Sequence, residues 1–288
     1  MAIVLEKNRT IMIQLGLIFV FFALLYYPVC ADMMADWATD EKYSHGYLIP
    51  AIAGYMIWTL RKDLKKIDPA PSNLGLAILI LGLLQVIAAR VGSELFLQRT
   101  SMIVVAFGIS LFLAGGMFTR KISFPLAYLL LMIPVPAIIW DKFAFPMKLF
   151  ASYVTAHIMH TIGIPVLREG NILNLGNVTL EVADACSGLR YLTSLFALSA
   201  ALAFLTTNTK VRKWLLFFSA IPIAILGNIL RLTVTAVLAG KYGEKAIEGF
   251  LHEFCGWLVF LAVVAMLLGA NWLLSGGREK TEGGRLRS

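Results

Sequence analysis

Nine stretches of this chain are apolar and almost free of charge: residues 11–29, 46–60, 74–89, 101–118, 122–139, 143–162, 189–205, 214–239 and 250–274. No single soluble core needs so many. Apolar residues make up 59% of the sequence and charged ones only 15%, against roughly 45–50% and about 25% in globular domains. The surplus must face lipid, which excludes a soluble enzyme. A helix needs about 20 residues to cross the hydrocarbon, so the shorter runs must borrow flanking residues or fail to cross.

Basic clusters set the direction of the runs, because Lys and Arg accumulate on the cytoplasmic side. Lys7 and Arg9 precede the first run, whereas Asp32, Asp36, Asp40 and Glu41 follow it. The N-terminus is therefore expected inside. No small-x-small cleavage pattern precedes Tyr26-Tyr27-Pro28, so this run reads as a retained helix rather than a signal peptide. Arg61, Lys62, Lys65 and Lys66, then Arg120 and Lys121, then Lys210, Arg212 and Lys213, and finally the basic tail beyond residue 275, fall on the same side.

With Arg120 inside, the fifth run exits near Asp141; with Lys210 inside, the run 189–205 must enter from outside. An even number of crossings must then lie between them. Only the run 143–162 is available, and with Pro146, Lys148, His157 and His160 it suits an interfacial or re-entrant helix. The expected architecture is an all-α polytopic membrane protein with about eight transmembrane helices, both termini cytoplasmic, that one extra helix, and a short external hairpin turning at Gly176. One membrane domain, 1–275, is followed by a cytoplasmic basic tail, 276–288. No internal repeat is visible.

Inside or at the end of a span an ionisable group is costly, which makes each one a functional candidate. The candidates are His45, Arg90, Arg99, Glu181, Asp184, Cys186, Arg190, Asn228, Arg231, Lys241, His252 and Glu253. Seventeen residues from Trp214, at about 1.5 Å each, carry Arg231 roughly 25 Å across, into the outer leaflet. Cys186 opens the sixth span from outside and His252 the last. A thiol, an imidazole and a guanidinium thus reach one depth at one face.

Those three groups can perform acyl transfer: His takes the thiol proton, the thiolate attacks a carbonyl, and Arg stabilises the oxyanion. A helix N-terminus and nearby cations lower a thiol's pKa. Cys186 sits at such an N-terminus, beside Ser187 and Gly188, with Arg190 one turn on. Cys30 and Cys255 read as small buried hydrophobes, although Cys255, three residues after His252, is the rival nucleophile. His157 and His160 read as interfacial helix residues, and Arg90 and Arg99 as side chains snorkelling at external span ends. Glu181 and Asp184 either orient His252 or Arg231 or simply solvate the loop. With three Cys and no CxxC or Cys/His spacing, no metal site is expected, and no cofactor or nucleic-acid partner either.

Four ordered segments resemble exosortases: Ile164-Pro-Val-Leu-Arg-Glu-Gly170, Leu180-Glu-Val-Ala-Asp-Ala-Cys-Ser-Gly-Leu-Arg190, Asn228-Ile-Leu-Arg231 and Phe250-Leu-His-Glu-Phe-Cys-Gly-Trp257. Tyr43-Ser-His-Gly-Tyr-Leu-Ile-Pro50 is similar to that family's N-terminal signature. The resemblance implies a membrane cysteine protease or transpeptidase at the outer face of the cytoplasmic membrane. Its partners would be membrane-anchored proteins ending in a PEP-CTERM signal: a short Pro-Glu-Pro-like motif, a hydrophobic helix and a basic tail. The nucleophile then falls on Cys186, the Arg on Arg231 and the His on His252. Archaeosortases carry Arg where this chain has His252, which favours the bacterial branch, and the family resemblance implies a link to exopolysaccharide-associated surface protein sorting. Ser44, His45 and Tyr47 either contact substrate or form a helix start. The rival function is a non-catalytic component of polysaccharide export or transport, but such a pathway would place ionisable groups near the midplane or in both leaflets.

Overall fold

A computed structural model describes residues 2–176, 178–182, 192–206, 209–243 and 250–275; for 2–11, 250–253, 255 and 275 it describes the backbone alone. The chain divides into two compact units, residues 1–134 and 135–288.

In the first unit, α1 (Ala2–Thr39) leads through a 3-10 turn (Glu41–Tyr47) into α2 (Leu48–Thr59) and the short α3 (Arg61–Leu64). Then come α4 (Asn73–Val91), α5 (Leu95–Ala114) and α6 (Gly116–Tyr128), which tightens into a second 3-10 turn (Leu129–Met132). Carboxylates start two of these elements: Asp40 accepts from the Lys42 amide and Glu94 from the Leu97 amide, both at 2.9 Å, satisfying donors that a helix start leaves open. The hairpin α4–α5 closes on small residues. Gly75 lies against the backbone at Phe112 and Gly108 against that of Leu79, where a Cβ would collide.

Along α1 the packing changes abruptly. From Met12 to Leu24 most large side chains face outward, whereas Tyr26, Val29, Met33 and Trp37 are buried. Their spacing of three, four and four puts them on one stripe. The Tyr26 hydroxyl bonds with that of Ser101 at 3.1 Å, and Trp37 Nε1 donates to the Met132 carbonyl at 2.9 Å.

The second unit begins with α7 (Ala137–Thr161), followed by an antiparallel sheet β1 (Leu167–Glu169), β2 (Ile172–Asn174) and β3 (Thr179–Glu181), in that order. Three helices complete it: α8 (Leu192–Thr206), α9 (Lys210–Tyr242) and α10 (Phe250–Ser275). The hairpin expected around Gly176 is present as β2 and β3, with Ile172 opposite Glu181 and Gly176 at φ +87°. Only Gly takes that conformation freely. The third strand, β1, has no counterpart in the sequence reading.

Among the described residues five helices are long and apolar enough to cross a membrane: Met12–Thr39 of α1, α4, α5, α9 and Gly256–Leu274 of α10. A sixth arises if α6 with its 3-10 turn and α7 form one broken span. The molecule is thus an all-α polytopic membrane protein, and the other expected crossings, α2 and α8, are helices of only 12 and 15 residues.

Two boundaries need correction. The expected fifth run, 122–139, is cut at Ile133-Pro134-Val135-Pro136, because each proline removes a helix donor and restricts its predecessor. The run 143–162 begins earlier than expected, at Ala137, and its bend against α6 fits a broken span or the expected re-entrant course. It belongs to the 25-residue α7, which packs lengthwise on α9. Met147 packs with the cluster holding Leu216 and Ala220, Ala151 clusters with Leu232, and Met159 clusters with Ala236 and Ala239. Both helices therefore run the same way. His157 and His160 face outward from α7.

Candidate functional site

Helix α9 owes its position to one apolar face that turns polar near its far end. Leu216, Ala220, Ile223, Ala224 and Gly227 are buried, and the same face continues through Asn228, Arg231, Leu232, Thr235 and Ala236. Asn228, Arg231 and Thr235 lie three and four residues apart, one above the other. Among the described residues Arg231 is the largest fully buried side chain, with 1% of its surface exposed, and Asn228 is equally enclosed. An enclosed guanidinium is costly unless anionic or strongly polar groups surround it.

One neighbour brings other elements to that turn, and a second joins α8 to the earlier part of α9. Val182, wholly buried at the end of β3, clusters with Ala151 of α7 and with Leu232, next in sequence to Arg231. Leu192, the first residue of α8, is buried in the cluster that joins α9 to Val259, Val263 and Leu267 of α10. The nine residues 183–191 are thus flanked by Val182 against the Arg231 turn and by Leu192 in the α8–α9–α10 core.

Helix α10 crosses α9 at Gly227. A Cβ there would strike the Cγ2 of Val263, and Val259 is the next neighbour, 3.8 Å from it. Seven residues separate Tyr242 from Phe250, too few to return along a 33-residue helix, so α9 and α10 are antiparallel. Counting from the crossing, Arg231 lies about 6 Å along α9 and the backbone of His252 about 13 Å along α10 in the same direction.

The sequence candidates separate as follows. Cys186, Asp184, Ser187, Gly188 and Arg190 lie outside the described residues, as do the side chains of His252, Glu253 and Cys255. Glu181 is exposed on β3. Cys30 is half-buried and touches the Met102 sulfur at 3.9 Å, the packing role expected of it.

In the first unit, Ser44 donates to the Glu41 carbonyl at 3.0 Å and Tyr47 to the Met34 carbonyl at 2.9 Å. His45 Nε2 meets the Leu131 carbonyl at 3.3 Å. All three side chains bond to backbone of their own unit. Burial pushes the His45 imidazole below its ordinary value, opposed by the Leu131 and Lys42 carbonyls. Arg99 is not a snorkelling residue: it is buried and ion-paired with Asp36 at 2.6 Å. Arg90 is exposed and donates to the Leu25 carbonyl at 2.8 Å. The residues missed by the sequence reading are Trp37, whose ring leaves no room for a Cβ on Gly46, and Thr235. A helical count from Arg231 would have found Thr235.

The family model of transmembrane exosortases matches residues 37–269, which is most of the chain. The chain belongs to the exosortase family. Exosortases are in general membrane cysteine transpeptidases, and this exosortase is a sorting-related transmembrane protein. No curated protein and no solved structure matches the chain. The match spans Ser44, His45 and Tyr47 as well as Cys186, Arg231 and His252. Among the described residues no group of three His, Cys, Asp or Glu could hold a metal ion.

Proposed function

We propose that this exosortase cleaves the C-terminal, PEP-CTERM-type sorting signals of exported proteins at the outer face of the cytoplasmic membrane, through a thioester on Cys186. The observation that carries the proposal is the enclosure of Arg231 beside Asn228, on the α9 turn whose next residue packs against Val182. Cys186 follows Val182 by four residues, which reach no further than about 14 Å. His252 stands on the helix that crosses α9 one turn before Arg231.

In the proposed reaction His252 takes the thiol proton, and the Cys186 sulfur attacks the scissile carbonyl carbon. The carbonyl's π electrons move onto oxygen, which Arg231 stabilises as it becomes an anion. When the C–O double bond re-forms, the C–N bond breaks and His252 returns the proton to the leaving amine. The ectodomain is left as a thioester, which water, an amine or a hydroxyl then resolves, regenerating the thiol. In the membrane the substrate's hydrophobic helix would pack beside the bundle with its basic tail inside, so its own topology would set which peptide bond meets the sulfur.

A reporter ending in such a signal tests this in membranes. Cys186→Ala should abolish cleavage and lose a trapped acyl adduct detectable by mass, while Cys255→Ala should retain both. Normal cleavage by Cys186→Ala and Cys186→Ser, with loss in Cys255→Ala, would transfer the nucleophile to Cys255.

A further inference from the structure

The first unit gathers two basic clusters, Arg61 to Lys66 and Arg120 with Lys121, that lie far apart in sequence. Arg61, Lys62, Lys65 and Lys66 follow α2, whereas Arg120 and Lys121 belong to the first turns of α6, and all six are exposed. Two junctions bring them together. At one end, the Leu131 carbonyl meets His45 just ahead of α2, and Trp37 of α1, packed on Gly46, donates to the Met132 carbonyl; the start of α2 thus lies at the end of α6, and the two helices pack on each other in antiparallel directions. Counting from that tie, Arg61 lies about 25 Å away along α2 and Arg120 about 17 Å along α6, within 8 Å or so of the same level. Both side chains can bridge that difference.

The second junction lies at the basic end itself. The Ala70 amide donates to the Ala114 carbonyl at 3.3 Å. Gly115, at φ +84°, presses on the Ala70 carbonyl, where no Cβ fits. The segment after Lys65 and Lys66 is thereby stitched to the start of α6. Against the six cations stand two exposed carboxylates in that segment, Asp63 and Asp68, leaving a surplus of 6 − 2 = 4 positive charges.

Beside the cations lies an exposed aromatic shelf. Tyr55 and Trp58 are 52% and 54% exposed, and their rings stack 5.7 Å apart. The Arg61 guanidinium lies 3.7 Å above the Trp58 ring and donates to the Trp58 carbonyl at 2.9 Å. Exposed Trp and Tyr mark the level of lipid headgroups, and basic clusters at that level attract anionic lipids. The occupant therefore comes from the membrane surface rather than from solution.

We propose that the six cations and the Tyr55–Trp58 shelf form a binding site for an anionic phospholipid whose headgroup carries two phosphates. One phosphate would meet Arg61 and its neighbours after α2, and the other Arg120 and Lys121. This site is independent of the reaction proposed above.

The test is native mass spectrometry of the purified full-length protein titrated with cardiolipin, phosphatidylglycerol and phosphatidylcholine. Cardiolipin should bind tightest and phosphatidylcholine weakest. Each basic residue near the surface contributes about fivefold, so Arg120→Gln with Lys121→Gln should weaken cardiolipin roughly 25-fold, and Lys65→Gln with Lys66→Gln similarly. The charge-retaining pair Lys65→Arg and Lys66→Arg should bind as the parent does, which separates loss of charge from loss of fold. Unchanged cardiolipin binding in either neutralised pair would overturn the proposal. Displacement of the lipid by excess inorganic phosphate would also overturn it, making the patch a site for soluble anions.

Discussion

The crossing of α9 and α10 at Gly227 gives the sharpest test of the catalytic reading, because it changes spacing without touching any proposed catalytic group. In Gly227→Ala the new methyl falls well inside the 3.0 Å below which real Cβ atoms essentially never approach Val263. Val263 is β-branched and 2% exposed, so its methyl has little freedom to turn away. The helices must separate by on the order of an ångström, at a cost of about 1–3 kcal/mol. A misplacement of that size between groups meant to act together costs about 100-fold in rate. Reporter cleavage in membranes should therefore fall about 100-fold while the protein still inserts and accumulates. Adding Val263→Ala removes the obstructing methyls and leaves its Cβ 3.7 Å from the new one, an ordinary contact. The double variant should regain most of the lost rate, although Val263→Ala alone leaves a cavity that lowers thermal stability. Cleavage at the parental rate in Gly227→Ala, or no recovery in the double variant, would refute the link between this crossing and the chemistry.

Other perturbations address single residues. Arg231→Ala should lower turnover about 100- to 1000-fold, as loss of an oxyanion donor does, and Arg231→Lys, which keeps charge but not the planar fork, should retain only a little; a cleavage time course reads both. Asp36→Asn leaves buried Arg99 without its carboxylate, and a thermal melt should show destabilisation toward the lower end of about 3–5 kcal/mol, since Asp36 is 43% exposed. His45 has its pKa depressed by burial, so the unfolded chain binds the extra proton first. Its stabilising effect is complete above 6.5 and fades as pH falls through the lower folded value. Melting temperature should drop on acidification below 6.5, and His45→Gln should flatten that dependence.

Much of this was legible in the sequence because a membrane punishes misplaced charge. The run of apolar residues in α4, α5, α9 and α10 follows directly from the need to face lipid, and Arg231 stands out for the same reason. The Gly176 hairpin was legible because a positive φ selects Gly. What failed was punctuation: Pro134 and Pro136 sit within an apolar run, and hydropathy alone reads across them, although their missing donors end the helix. That slip misplaced the start of α7, which opens at Ala137 and turns its Ala151, Ala156 and Met159 stripe inward. Arg99 was misjudged because its partner, Asp36, lies 63 residues earlier, and only the fold brings them together. Ser44, His45 and Tyr47 were left between two roles because hydrogen bonds to backbone carbonyls leave no sequence signature.

Helix α1 contains two kinds of sequence end to end. Over Met12–Leu24, most large side chains are exposed, so exchanges among Leu, Ile, Phe and Val at those outward positions should pass almost unnoticed, and drift over generations should be rapid. From Tyr26 to Trp37 the same rod is buried at four rungs, and a change at Tyr26 would be felt by α5 and one at Trp37 by the turn that ends at Met132. Variation among close relatives should therefore shift from free to restrained within a single turn of helix, at Leu25 and Tyr26.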